Sequence, residues 1–203
     1  MNRLVRTATT ALAALATLAA TLVTAAPAGA APSPGAGLDA AKTAVAARID
    51  KRLDALKGFE SIVNGAGQLT AAHKAALTKL IDDQQSGLAA LKTRLQAETT
   101  APAVKADAQS MVYDYRVFIL TGPKVRLTVA IDTELAVVTK LRSQPGADAA
   151  KLDAIAQSLQ GKADTLLSLK PGPDGDAIRA QVNPIRTAAK TAHADLKALR
   201  KKK

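Results

Sequence analysis

Apolar residues recur along this chain at intervals of three and four, with polar residues filling the spaces between them. The pattern is cleanest near the C-terminus, where Ile178, Val182, Ile185, Ala189, Ala192, Leu196 and Leu199 step by 4, 3, 4, 3, 4 and 3. Such heptad spacing keeps one stripe of a helix turned toward a partner. The same alternation runs through Leu77, Ile81, Gln84, Leu88, Leu91 and Leu95, where Thr70 supplies the N-cap. It returns in Val104, Ala108, Met111, Tyr115 and Phe118, where Thr100 and Pro102 start a third helix. Val45, Ile49, Leu53, Leu56 and Val63 mark a first helix from Leu38 to Val63, closed by Asn64-Gly65-Ala66-Gly67. After Gly122-Pro123, the residues Leu127, Ile131, Leu135 and Val138 carry a fourth helix on to Gln144-Pro145-Gly146. Leu152, Ile155, Leu159, Ala163 and Leu166 predict a fifth from Asp148 to Leu169. A turn from Pro171 to Gly175 then precedes the last helix, capped by Asp176 and interrupted by Pro184.

These elements predict an all-α fold: an antiparallel, coiled-coil-like bundle of about five to six helices. Two three-helix halves, 38–121 and 124–200, sharing a long kinked helix through Gly122-Pro123, are one arrangement; a single compact bundle is the other. Gly37-x-Asp39-Ala40-Ala41-Lys42 recurs as Gly146-x-Asp148-Ala149-Ala150-Lys151, which Asp-capped starts in an Ala/Lys-rich chain explain without duplication. Residues 113–131 also alternate with period two around Thr121-Gly122-Pro123-Lys124, the pattern of a β-hairpin. Helix is preferred there, because a lone hairpin is marginal in water and the heptads continue on both flanks.

The N-terminus is of another kind. Arg3 and Arg6 precede an uncharged Ala/Leu/Thr/Val stretch from Thr7 to Ala26, and Ala28-Gly29-Ala30 is a small-x-small cleavage site. Residues 1–30 therefore read as a signal peptide, a retained membrane anchor being the alternative. Residues 31–37 read as a flexible linker, 38–200 as the helical domain and 201–203 as a basic tail. After cleavage no span remains. The chain has no Cys, so export brings no disulfide. With two Phe, two Tyr and no Trp, the core must be built from Ala, Leu, Val and Ile.

The stretch from Tyr113 to Ile131 resembles a segment of uncharacterised exported, Ala-rich helical proteins of high-GC Gram-positive bacteria. The likeness extends through Leu77 to Ala108. It implies an extracellular or wall-associated helical protein and carries over no functional residue.

Candidate chemistry is sparse. Nucleophilic catalysis needs a Ser, Thr or Cys held by a base, and the chain offers two histidines, His73 and His193. His73 reads as an exposed residue of a helix's first turn, and His193 as a neighbour of the last apolar seam. No metal-ligand spacing occurs, and no cofactor is implied. Asp50 and Asp54 sit among Arg48, Lys51, Arg52 and Lys57, a solvated helix face. Asp174-Gly175-Asp176 lacks the acid of a calcium loop at position 185, which is Ile. Tyr115 and Arg116 could bind a small anion between helices, although core packing, with the tyrosine hydroxyls finding local partners, is the preferred account.

Charge changes the picture more. Between Ala177 and Lys203 stand Arg179, Arg186, Lys190, Lys197, Arg200, Lys201, Lys202 and Lys203 against one acid, Asp195. This segment carries +7 of the +9 left when Arg3 and Arg6 are subtracted from the chain's +11. Arg179, Asn183, Arg186, Lys190, His193, Lys197 and Arg200 each follow a seam position by one residue, forming a basic ladder beside the apolar stripe. The expectation is a non-enzymatic interaction or structural protein, secreted or cell-wall associated, held weakly and salt-sensitively to an anionic envelope polymer or lipid headgroups. A small-ligand carrier using Tyr115 and Arg116 is the alternative. Heptad seams also allow self-association, and the signal peptide disfavours nucleic acid.

Overall fold

The computed structural model describes residues 35–201, except for the side chain of Lys201. Residues 1–30, read above as a signal peptide, residues 31–34 of the expected linker, and Lys202 and Lys203 lie outside the described residues. The chain forms α1 (Ala36–Gly65), α2 (Ala71–Ala97), α3 (Ala101–Tyr113), a π-helical turn (Val117–Thr121), α4 (Gly122–Arg142), α5 (Ala149–Leu159), α6 (Lys162–Ser168) and α7 (Gly175–Lys201). The fold is all-α, and no strand occurs among the described residues. α1 takes in Ala36 and Gly37 of the expected linker, and α7 takes in Lys201 of the expected tail.

The segment that alternates like a hairpin is helical because it is buried on several sides. α4 packs against α1, α2, α5, α6 and α7, and Val125, Thr128, Ile131, Asp132, Glu134 and Val138 are all buried along it. Its break differs from the sequence expectation. α3 stops at Tyr113, and Arg116 adopts a left-handed backbone with φ 42°. The π turn then runs into α4 through Gly122, whose backbone is ordinarily helical. The π turn and Pro123 both interrupt the normal hydrogen-bond ladder, and here they coincide. The heptad of α3 therefore does not reach Phe118, which is 54% exposed rather than in the core.

Two further boundaries move. The fifth predicted helix divides at Gly161 into α5 and α6, and Gly161 has φ +69°, a conformation that favours glycine. The last helix is capped by Asp174, not Asp176: Asp174 Oδ1 accepts from the N–H groups of Asp176 and Ala177, both at 2.9 Å. The expected caps Thr70 and Thr100 do accept, from the N–H groups of His73 and Ala103.

Two apolar clusters form the core. One joins α1, α2 and α3 through Ile49, Leu56, Leu77, Leu88, Leu95 and Met111. The other joins α4, α5, α6 and α7 through Ile131, Leu152, Leu159, Leu166, Val182 and Leu196. The π turn and α4 serve both, since Val117 and Val125 belong to the first and Leu120 and Val138 to the second. Gly87 shows how closely the first is packed. A Cβ there would stand 2.6 Å from the ring of Tyr115, which accounts for a glycine inside a long helix despite a cost of about 1 kcal/mol. No helix among the described residues is long and apolar enough to cross a membrane.

Candidate functional site

The basic ladder stands as the heptad pattern requires. Ile178, Val182, Ile185, Ala189, Ala192 and Leu196 are buried, while Arg179, Lys190, His193, Lys197 and Arg200 are exposed and Arg186 is half-buried. Arg179 pairs with Asp176 at 2.5 Å, and Arg186 donates to the side chain of Asn183 at 2.7 Å. Among the described residues no ion pair engages Lys190, Lys197 or Arg200. Nothing on α7 neutralises the ladder beyond Asp176 and Asp195.

The structure gives part of this ladder a second setting. α4 and α7 lie side by side, and between them opens a groove of about 580 Å³. Phe59, Phe118 and Pro123 form one end, Leu127, Ala130 and Ala189 the floor, and Glu134 and His193 the other end. Arg126 stands on the α4 wall and Arg186 and Lys190 on the α7 wall. The Arg126 guanidinium lies 5.6 Å from the Phe59 ring centroid, and Arg52 lies 5.4 Å from that of Phe118. Gly122 allows the end wall to close, because a Cβ there would come within 2.9 Å of the Phe59 ring.

Glu134 is the unusual member. It is 6% exposed, and its Oε2 has no hydrogen-bond partner. Its Oε1 lies 3.6 Å from His193 Nδ1. Burial pushes its carboxyl up to about 7, so that near neutrality it is as often acid as anion. A buried carboxyl inside a groove with convergent cations is the arrangement expected of a binding site.

Tyr115 and Arg116 are placed elsewhere. Tyr115 packs on Gly87. Arg116 spans to the turn before α7: Nε donates to the carbonyl of Gly172 at 2.7 Å and Nη2 to that of Pro173. Its guanidinium also lies 5.3 Å from the Tyr113 ring centroid. These donors hold protein carbonyls, and neither residue lines the groove.

His73 is not the exposed residue that its position suggests. Its side chain is 15% exposed, with Nδ1 2.8 Å from Asp132 on α4 and Nε2 3.2 Å from Asp164 on α6. Asp132 also accepts from the Thr70 N–H at 2.9 Å. Burial works against the charged ring, but the two carboxylates outweigh it and the pKa of His73 is raised. With both ring nitrogens facing carboxylates, the imidazolium is the fitting form. No metal-holding group of three or more His, Cys, Asp or Glu side chains occurs among the described residues.

Sequence reasoning missed Phe59, Arg126 and Glu134. Phe59 follows Leu56 by three and precedes Val63 by four, so its seam position was readable. Glu134 likewise falls three after Ile131 and four before Val138. An acid on an apolar seam was the available signal. Comparison with protein-family models, curated proteins and solved structures finds no match.

Proposed function

We propose that this is an exported, non-enzymatic interaction protein, held at an anionic surface of the cell envelope by the basic face of α7. The observation that carries the reading is the exposed ladder, in which Lys190, Lys197 and Arg200 stand free of ion pairs among the described residues. An apolar seam buries one side of α7, which turns its cations outward as a row. Cations that are already solvated and unpaired lose little on meeting a polyanion. Each contributes at most ~1 kcal/mol near an anionic membrane surface, and the effect decays over a Debye length of ~8 Å. Binding is thus weak singly, additive along the row and sensitive to salt. The signal peptide selects the partners: wall polymers bearing phosphate or uronate groups, or anionic headgroups, rather than nucleic acid.

The test is co-sedimentation with cell-wall preparations across a salt titration. Retention is expected to fall steadily as salt rises. It is expected to fall at low salt when Lys190, Lys197, Arg200 and the terminal lysines become Gln. Retention that ignores both salt and charge would overturn the reading.

A further inference from the structure

We infer that the groove between α4 and α7 binds a small anionic amphiphile, an apolar chain or ring ending in a carboxylate, sulfate or phosphate group. Its volume of about 580 Å³ falls within the range of ~300–1,000 Å³ typical of small-molecule sites. Its floor and one end are apolar, and Phe118 keeps 54% of its surface open to solvent there. In a chain with two Phe, two lining one cavity is a concentrated use of aromatic surface.

Charge selects the ligand's sign. Cations enter from both walls, Arg126 from α4 and Arg186 and Lys190 from α7, and no carboxylate among the described residues pairs with any of them. The one acid in the groove is Glu134, at the far end beside His193. Its Oε2 is buried and unpartnered, so this carboxyl is withdrawn from the groove surface and does not offset the cations on the walls. A neutral apolar ligand would leave the three cations without a countercharge, and a cationic one would oppose them. An amphiphilic anion satisfies floor and walls together.

This site does not rest on envelope attachment, and the two separate experimentally. The probe is decanoate, titrated calorimetrically into the full protein below its micelle concentration, with decanol and decyltrimethylammonium as uncharged and cationic controls. Decanoate is expected to bind one to one, and the controls about ten-fold more weakly or not at all, since removing one charge-assisted hydrogen bond weakens binding by about a factor of ten. Arg126→Ala changes an exposed side chain and is expected to weaken decanoate about ten-fold. Ala130→Phe fills the floor and is expected to abolish binding, while leaving every cation of α7 in place for wall retention. Lys197→Gln with Arg200→Gln should do the reverse. Absence of saturable decanoate binding, equal affinity for decanol, or indifference to Arg126→Ala would each overturn the proposal. So would binding to anionic vesicles without binding to monomeric decanoate, which would make the groove part of a membrane-facing surface.

Discussion

Glu134 occupies a position that the helix period reserves for an apolar side chain, between Ile131 and Val138. Asp107 does the same between Val104 and Met111, and the contrast between the two is informative. Asp107 is answered by Arg94, whose Nε and Nη2 lie 2.8 and 2.6 Å from its Oδ1. Glu134 has only His193 at 3.6 Å. Its folded carboxyl holds a proton up to about pH 7, whereas an unfolded one releases it near the ordinary value of 4.5. Between those values the folded state binds more protons, so this group lowers stability as pH rises and reaches its full cost above about 7. Glu134→Gln is therefore expected to stabilise the protein by on the order of 2 kcal/mol at pH 8 and by almost nothing at pH 4. Urea unfolding at the two pH values checks this; an equal effect at both would mean that the carboxyl is not held neutral by burial.

At the scale of elements, the seams were legible and several breaks were not. Heptad spacing located all the buried positions of α2 and six of those on α7, because burial of a stripe is a property of residue type and period. The end of α3 depends instead on Arg116, a residue with no intrinsic preference for φ 42°. Its conformation is held from a distance, by the carbonyls of Gly172 and Pro173. No window around residue 116 contains those partners. The same holds for Lys124, which is 4% exposed and donates to the carbonyls of Leu167 at 2.8 Å and Leu169 at 2.6 Å. These are C-terminal carbonyls of α6, which its seven residues leave without helical partners. Burial, with Lys170 nearby, lowers the Lys124 pKa to about 8. Lys124→Met keeps the apolar stem and removes both bonds. It is expected to cost about 1–2 kcal/mol and to speed amide exchange in α6 and the turn that follows. Exchange unchanged in α6 but faster elsewhere would show that the lysine acts through packing alone.

At the scale of the molecule, the His73 cluster ties α2, a helix of the first apolar cluster, to α4, which serves both, and to α6, a helix of the second. Asp132 is buried, so removing the ring takes away the cation that faces its carboxylate and leaves it the Thr70 N–H. The cluster should therefore govern how the two cores open relative to one another, and it titrates. An unfolded histidine has a pKa near 6.5, and here the folded value is higher. Its contribution is therefore complete below pH 6.5 and is lost as pH rises through the folded value. Glu134 also lowers stability with rising pH, but its window closes at about 7. The two are separable. His73→Gln is expected to cost about 2 kcal/mol at pH 6 and progressively less as pH rises above 6.5, removing the alkaline part of the stability decline that begins there. Glu134→Gln should remove the acidic part and leave the alkaline part in place. Hydrogen exchange adds a spatial readout: in His73→Gln at pH 6, faster exchange should begin at the N-terminal turn of α2 and in α6. If the stability of His73→Gln kept the wild-type pH profile shifted by a constant, the ring would be a neutral packing element and not the imidazolium that joins the two cores.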